Sequence, residues 1–369
     1  MAHIPKTMIA AVTTGTGGYE KLKIKEIPTP KIRSGEVLVK VLAASVNNTD
    51  INTRLGWYSD KVDNSTTRLA VQANKKSQDT EQLSGWNSKT IFPLIQGTDC
   101  CGVVVKAADL GAQNLVGKRV ILRPCTTLTD THNCSTSIWM GSDYNGSFAN
   151  FISISTKDAF PILSPLTDAE LASIPCAFGT AENMLIKAGL TDKHHLLVTG
   201  GSGGVGTALI RLAKLRGAKV TAITSAEKVN LVKVLGCNEI IDRSVPEAIF
   251  LEQIKERKNS FDIIADTVGG SWFSKLFDTI RPGGKYVCSG AIAGPIVNLD
   301  LRKLYLKDIT AIGSTSWIEE SFFRIVNLIE SKQIEPLVHK SFSLTDIVKA
   351  QKLFIETKPF GKIALIPPE

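Results

Sequence analysis

The sequence predicts an α/β protein in two parts, a β-rich first part and a doubly wound parallel sheet. Three observations carry this. Short apolar runs bounded by Gly and Pro recur from Lys6 to about Ile154, the pattern of strands joined by turns. From about Thr167 strands alternate with helical patterns, as they do around a parallel sheet. The length of 369 residues leaves room for two cores, at a prior of about 150 residues per domain. With 43% hydrophobic and 21% charged residues, the composition excludes a chain that is mainly disordered. No stretch approaches the ~20 apolar residues of a membrane span. Met1–Lys6 shows neither an apolar signal core nor an Arg-rich helix, so a soluble, cytoplasmic protein is expected.

In the first part, Glu36–Leu42 reads as a strand behind the turn residues Pro28, Pro30 and Gly35, and Gly102–Val105 and Gly117–Leu122 as two more. The polar stretch from Ser59 to Ile91 is too long for an ordinary loop. It reads as a lid, an excursion or a partly disordered segment, and the sequence does not choose among these. In the second part, the apolar run His195–Thr199 leads into Gly200–Gly206. Val205, Ala208, Leu209, Leu212 and Ala213 then repeat at helical spacing as far as Gly217, a natural helix stop. Lys219–Ile223, Glu239–Ile241, Phe261–Ala265 and Lys285–Cys288 follow as strands. The tail from Ile318 holds two helical patterns and a last strand, Lys362–Ile366. No internal repeat is present.

The chemistry starts at the glycine loop. Gly201, Gly203 and Gly206, with Ser202, Gly204 and Val205 between them, stand between a strand and a helix. Glycine is needed there because the backbone must come close to a pyrophosphate, which the N–H groups and dipole of the helix N-terminus then hold. An NAD site places an acid at the end of the next strand, for the ribose hydroxyls. Here the residues after Ile223 are Thr224-Ser225-Ala226-Glu227-Lys228. A hydroxyl followed by a cation suits a 2′-phosphate, with Ser225 and Lys228 on it and Arg243 closing the far side, so NADPH is expected. Glu227 argues against this, and the plainer reading of Ser225 as a helix cap and Lys228 as a solvated side chain stays open.

The net charge of +8 calls for an anionic partner or a Lys-rich solvated surface. With aromatics at 7% and no run of five basic residues, a dedicated nucleic-acid surface is disfavoured. Seven cysteines do not make a disulfide framework in a chain of this size. Cys125 and Cys134 lack a second close pair, and His3, His132, His194, His195 and His339 form no H-x3–5-H pair, so no metal site is expected.

With these residues in hand the chain resembles the medium-chain dehydrogenase/reductase superfamily, and within it the zinc-independent, quinone oxidoreductase-like branch. The marks are Gly35–Val39, Asn47–Asp50, Pro93–Val104, Val116–Val120, Gly146–Ala149, Asp266-Thr267-Val268-Gly269-Gly270 and Arg281–Gly284. They cover nearly the whole chain apart from Ser59–Ile91. The resemblance implies a GroES-like catalytic domain over 1–160, completed by 317–369, and a Rossmann-type NADP-binding domain over 161–316. It also implies a homodimer, paired through a strand at Ile309–Ile312.

The zinc-dependent alcohol dehydrogenases carry a ligand Cys where this chain has Asn47–Asp50, and Gly-His-Glu where it has Gly97-Thr98-Asp99. Their four-Cys lobe is also missing. Without a Lewis acid, alcohol oxidation loses its main transition-state stabilisation. A zinc-free site can still deliver hydride to an electron-poor quinone or enone, given hydrogen-bond donors and a proton.

Asn47-x-x-Asp50-Ile51-Asn52-x-x-x-Gly56-Trp57-Tyr58 is similar to a segment of the mitochondrial enoyl thioester reductases. This implies Tyr58 as proton donor or electrophilic anchor and Asn47 near the nicotinamide. Packing of Tyr58 beside Trp57 is the plainer alternative. By the same resemblance Thr180, Val268, Ser289, Gly290, Ala291 and Ser314 line the cofactor, with a helix cap the equal alternative for Thr180. Cys100 and Cys101 are expected to be buried and structural, and His194 and His195 to lie at the surface. The expected activity is NADPH-dependent, zinc-independent reduction of a quinone or an α,β-unsaturated carbonyl compound. The alternatives are an enoyl-CoA or enoyl-ACP reductase, a zinc-type alcohol dehydrogenase, which is disfavoured, and a non-enzymatic relative binding NADPH or RNA.

Overall fold

A computed structural model describes residues 3–75, 89–129, 135–357 and 359–369. His132, Cys134 and residues 76–88 of the long polar stretch therefore lie outside the described residues. The chain forms two compact units. One comprises Met1–Val62, Leu69–Cys176 and Ile318–Glu369; the other comprises Asp63–Arg68 and Ala177–Trp317. The changeover falls at Cys176, later than the expected 160. The strand Ala159–Pro161 still pairs with Arg119–Leu122, and Leu171, Ala172 and Ile174 are buried.

The first unit is built round the strand Glu36–Ser45, whose Val37, Leu38, Val39 and Val41 are all buried. Cys100–Ala107, Phe151–Ser155 and Lys362–Ile366 each pair with it antiparallel. The pairing Ala364↔Ser45 and Leu365↔Ala44 ties the end of the chain to the residues just before Asn47, and the Val46 N–H donates to the Ile363 carbonyl over 2.9 Å. A smaller sheet has the order Leu22–Pro28, Thr7–Thr13, Leu94–Ile95, and Cys125–Thr129 pairs with Ser135–Trp139 as a two-stranded ladder. Ala10, Val37, Val104, Phe148 and Leu365 share one apolar core. The polar stretch from Ser59 contains a helix, Thr66–Lys75, which its composition did not announce.

The second unit is a six-stranded, all-parallel sheet. Its order is Glu239–Asp242, Lys219–Thr224, His195–Val198, Phe261–Asp266, Ile280–Cys288, Thr310–Gly313. The strand order therefore reverses between His195–Val198 and Phe261–Asp266, and ligands of open parallel sheets bind at such a reversal, beyond the carboxyl ends of the strands. The helix Gly204–Leu215 buries Ala208, Leu209, Leu212 and Ala213, the stripe that its sequence spacing predicts, and Gly217 follows in the left-handed conformation at φ +78°. Among the described residues no helix is long and apolar enough to cross a membrane.

Candidate active site

Two groups of residues stand out, one in each unit. In the second unit, the glycine loop and the segment Thr267–Gly270 meet at the sheet reversal. Gly206, in the first turn of the helix, lies so close to the loop that a Cβ there would be 2.1 Å from the Gly200 carbonyl oxygen, a backbone atom that no side-chain rotation can move away. Gly203 caps the helix without a side chain, which leaves the first-turn N–H groups of this 12-residue helix for an anion. Asp266, fully buried, fixes the facing segment. Its Oδ1 accepts from the Thr199 hydroxyl at 2.5 Å, the Val268 N–H at 2.7 Å and the Gly269 N–H at 3.1 Å, while Oδ2 accepts from the Tyr286 hydroxyl at 2.7 Å.

At the end of the second strand, Thr224 is 1% exposed and its hydroxyl has no partner among the described residues. Ser225 and Lys228 follow it half-buried, Glu227 is exposed, and Arg243 is held alongside by its N–H to the Thr224 carbonyl at 2.9 Å. One carboxylate, Asp242, stands opposite Thr224 in the strand register, with its Oδ1 accepting from the Ser244 N–H at 2.8 Å. The glycine loop and this hydroxyl-and-cation corner fit a dinucleotide.

The other predicted cofactor positions fall in the same unit. Thr180 is half-buried on the helix Pro175–Ala188. Ser289 and Gly290 leave the strand Ile280–Cys288, and the Ser289 hydroxyl points to the Met184 sulfur at 3.0 Å. Gly269 and Ala291 are in close approach. Ser314 is buried and accepts from the Asn183 amide at 2.9 Å. His194 and His195 are half-buried, with the His194 Nδ1 accepting from the Thr191 N–H at 3.0 Å. His195 packs its ring edge-on to Phe261 and bonds the Thr221 hydroxyl at 2.7 Å, which fixes it at the amino end of an interior strand of the sheet.

The first unit holds a buried polar cluster that begins with the helix Asn48–Leu55. Although most of its residues are polar, all from Thr49 to Leu55 are buried. Asp50 reaches back to the Asn47 N–H at 2.8 Å and accepts from the Gly97 N–H at 3.1 Å; Gln96 donates to the Asp50 carbonyl at 2.7 Å. Gly97 sits at φ +106°, and a Cβ there would meet Phe148 and the Ser147 hydroxyl at 2.6 Å. Only glycine allows the segment Gln96–Asp99 to lie this close to Gly146–Phe148.

Asp99 is the centre of the cluster. Its Oδ2 accepts from the Ser45 hydroxyl at 2.5 Å, the Asn47 amide at 2.8 Å and the Lys362 ammonium at 2.9 Å; its Oδ1 accepts from the Cys176 N–H at 2.7 Å. The Asn47 amide also donates to the Thr98 hydroxyl at 3.0 Å, and its oxygen accepts from Lys362. Burial pushes the Asp50 carboxyl up to about 7, against the pull of its N–H donors and of Lys362. Burial likewise pushes the Cys176 thiol up to about 12, with the Asp99 charge adding to it. Cys100 and Cys101 are buried as expected, their thiols pushed up for the same reason.

This donor set does not fit zinc. Both Asp99 oxygens are already engaged, one of them by an ammonium at 2.9 Å, and the Asn47 oxygen is taken by the same ammonium. Among the described residues no group of three or more His, Cys, Asp or Glu could hold a metal ion. Sequence reasoning passed over Cys176 and Lys362, and met Asp99 only as the residue standing where zinc enzymes carry the Glu of Gly-His-Glu. The available signal was a lone Asp and a lone Lys, each inside an apolar run.

The two residues expected to act together lie at opposite ends of one helix. Asn47 precedes Asn48–Leu55, while Tyr58 follows its left-handed terminator Gly56. Eight residues at ~1.5 Å rise put about 12 Å between these ends. Asn47 has its amide engaged by Asp99, Thr98 and Lys362. Tyr58 is half-buried, with its ring 5.5 Å from Trp57 in an edge contact.

Comparison with known proteins agrees with this division of the chain. The alcohol dehydrogenase GroES-like domain family matches residues 33–164, and the zinc-binding dehydrogenase family matches 204–331. A protein of Sinorhizobium meliloti 1021, classed provisionally as an alcohol dehydrogenase, is 35% identical, with a TM-score of 0.85 over 99% of this chain and 98% of its own. The NADPH-dependent alkenal/one oxidoreductase of Arabidopsis thaliana chloroplasts is 30% identical over 80% of this chain and 66% of that protein. The 2-methylene-furan-3-one reductase of Solanum lycopersicum is 27% identical over 99% and 80%. The acryloyl-coenzyme A reductase of Metallosphaera sedula is 25% identical over 94% and 96%. With its GroES-like domain and Rossmann-type parallel sheet, the chain belongs to the medium-chain dehydrogenase/reductase superfamily of pyridine-nucleotide-dependent oxidoreductases.

Proposed function

We propose that this protein is an NADPH-dependent reductase of α,β-unsaturated carbonyl compounds or quinones that works without a catalytic metal. The observation that carries the reading is the commitment of Asp99 to Lys362, Ser45 and Cys176, which engages both of its oxygens. Without a metal to stabilise an alkoxide, the favoured acceptor is one already electron-poor. Three relatives bear names of enzymes acting on such acceptors, an alkenal/one, a methylene-furanone and acryloyl-CoA.

When bound, NADPH supplies the hydride. The protein's part is to hold and to protonate. The glycine loop and its helix N-terminus bind the pyrophosphate; Thr224, Ser225, Lys228 and Arg243 bind the 2′-phosphate. Thr180, Val268, Ser289, Gly290, Ala291 and Ser314 position the nicotinamide end. Asn47, fixed by Asp99 and Lys362, holds the helix that leads to Tyr58. The Tyr58 hydroxyl donates the proton that completes reduction, a contribution of roughly 10²–10⁴ in rate for a positioned acid. Tyr58→Phe should lower kcat on an enone by that order and leave the NADPH dissociation constant within twofold. An unchanged kcat would assign the proton to solvent.

An enoyl-thioester reductase is the second reading, favoured by the acryloyl-CoA reductase match along 94% of the chain. Crotonyl-CoA assayed beside a small enone separates the two. For the assembly we propose a cytoplasmic homodimer formed through the edge strand Thr310–Gly313, which is largely exposed and neighboured in sequence by exposed Leu301, Tyr305 and Leu306. Light scattering on the purified protein tests the dimer.

A further inference from the structure

We propose that Lys362 is an internal cation that holds the Asn47–Thr98–Asp99–Cys176 cluster closed to divalent metal. The inference rests on the metal-free reading of this site and adds its physical cause. Lys362 opens the strand Lys362–Ile366 and is 5% exposed, a burial that lysine accepts only with a charged partner. That partner is Asp99, fully buried, at 2.9 Å. The reach of the side chain is set by the backbone, since the strand is anchored to Glu36–Ser45 at Ala364↔Ser45 and by the Val46 N–H bond to Ile363. The ammonium also takes the Asn47 oxygen, which turns the amide N–H groups towards Asp99 and Thr98.

Each group that could serve as a ligand is thus engaged with the lysine or with a partner that the lysine orients. Asp99 is paired with the ammonium, the Asn47 oxygen is occupied by it, and Cys176 gives its backbone N–H to the other oxygen of Asp99. Removing the ammonium leaves a buried carboxylate without a counter-charge, next to a thiol, an amide oxygen and a hydroxyl. That set attracts a divalent cation, whose binding releases the thiol proton to solvent.

Cobalt(II) chloride is the probe, since a thiolate–cobalt bond gives a charge-transfer absorption that bonds to oxygen do not. Full-length wild-type protein should show no such band on titration. Lys362→Met should gain it, saturating at one equivalent, and lose it again in Lys362→Met/Cys176→Ser. Wild type and Lys362→Met behaving alike, both with the band or both without it, would overturn the proposal. Should Lys362→Met fail to fold, Lys362→Met/Asp99→Asn removes both charges. It should fold and melt near the wild type, still without the band; failure of this paired variant to fold would equally overturn the charge-pair account. The titration needs neither nucleotide nor acceptor, so its outcome is independent of whether the protein reduces enones.

Discussion

The Tyr286 hydroxyl donates to Oδ2 of Asp266 over 2.7 Å, inside the sheet and away from solvent. The opposite oxygen gathers Thr199, Val268 and Gly269, so one carboxylate joins two strands and sets the segment facing the glycine loop. Burial and the neighbouring carboxylate push the Tyr286 hydroxyl well above its usual range, so it stays a donor at any working pH. Tyr286→Phe leaves Oδ2 without this donor and should cost about 2 kcal/mol of stability. It should also weaken NADPH binding several-fold, measurable by nucleotide fluorescence alongside thermal unfolding.

Gly206→Ala places a methyl against backbone rather than against a movable side chain. Nucleotide binding should weaken by at least tenfold, while the first unit, which does not contain this loop, keeps its fold. Isothermal titration with NADPH and circular dichroism together check both halves of that expectation.

The corner formed by Ser225, Lys228 and Arg243 predicts a preference for the 2′-phosphate. Lys228→Ala/Arg243→Ala should raise KM for NADPH by roughly tenfold to a hundredfold, because the proposed site loses two charge-assisted hydrogen bonds to the phosphate, each worth ~1 kcal/mol or more. KM for NADH should change little, because Asp242 remains for a ribose hydroxyl. An equal loss for both nucleotides would remove the corner from cofactor choice.

Asp50 predicts a pH dependence of stability. Its carboxyl stands at about 7 in the folded protein against an ordinary 3.8, with Lys362 and Asp99 as its charged neighbours. Between these values the folded form holds a proton that the unfolded chain has lost, so stability falls as pH rises from about 4 to 7 and levels off above. In Asp50→Asn this limb disappears. The difference in Tm between variant and wild type, followed from pH 4 to 8, should therefore shift in favour of the variant and then become constant.

Much of this architecture was legible because it follows from local periodicity. Glu36–Leu42, His195–Thr199 and the stripe Val205–Ala213 each carry an apolar pattern that fits one element, and Gly201, Gly203 and Gly206 sit where a strand turns into a helix. The polar cluster was not legible. Lys362 and Asp99 come from distant parts of the sequence and meet only through pairing of Lys362–Ile366 with Glu36–Ser45. A lysine at the start of a strand reads as solvated until that register is known. Arg54 was hidden for the same reason: it is fully buried, bonded to Gln351 and the Gly17 carbonyl, and burial lowers it to about 10. The helix Thr66–Lys75 was missed because its polar composition resembles that of the loop around it.

The most direct measurement is NADPH oxidation by chelator-treated protein, followed by absorbance with an enone, a quinone and crotonyl-CoA as acceptors. The account predicts acceptor-dependent turnover that favours NADPH over NADH and survives the chelator unchanged. Turnover abolished by the chelator and restored only by zinc, or none with any acceptor, would contradict it.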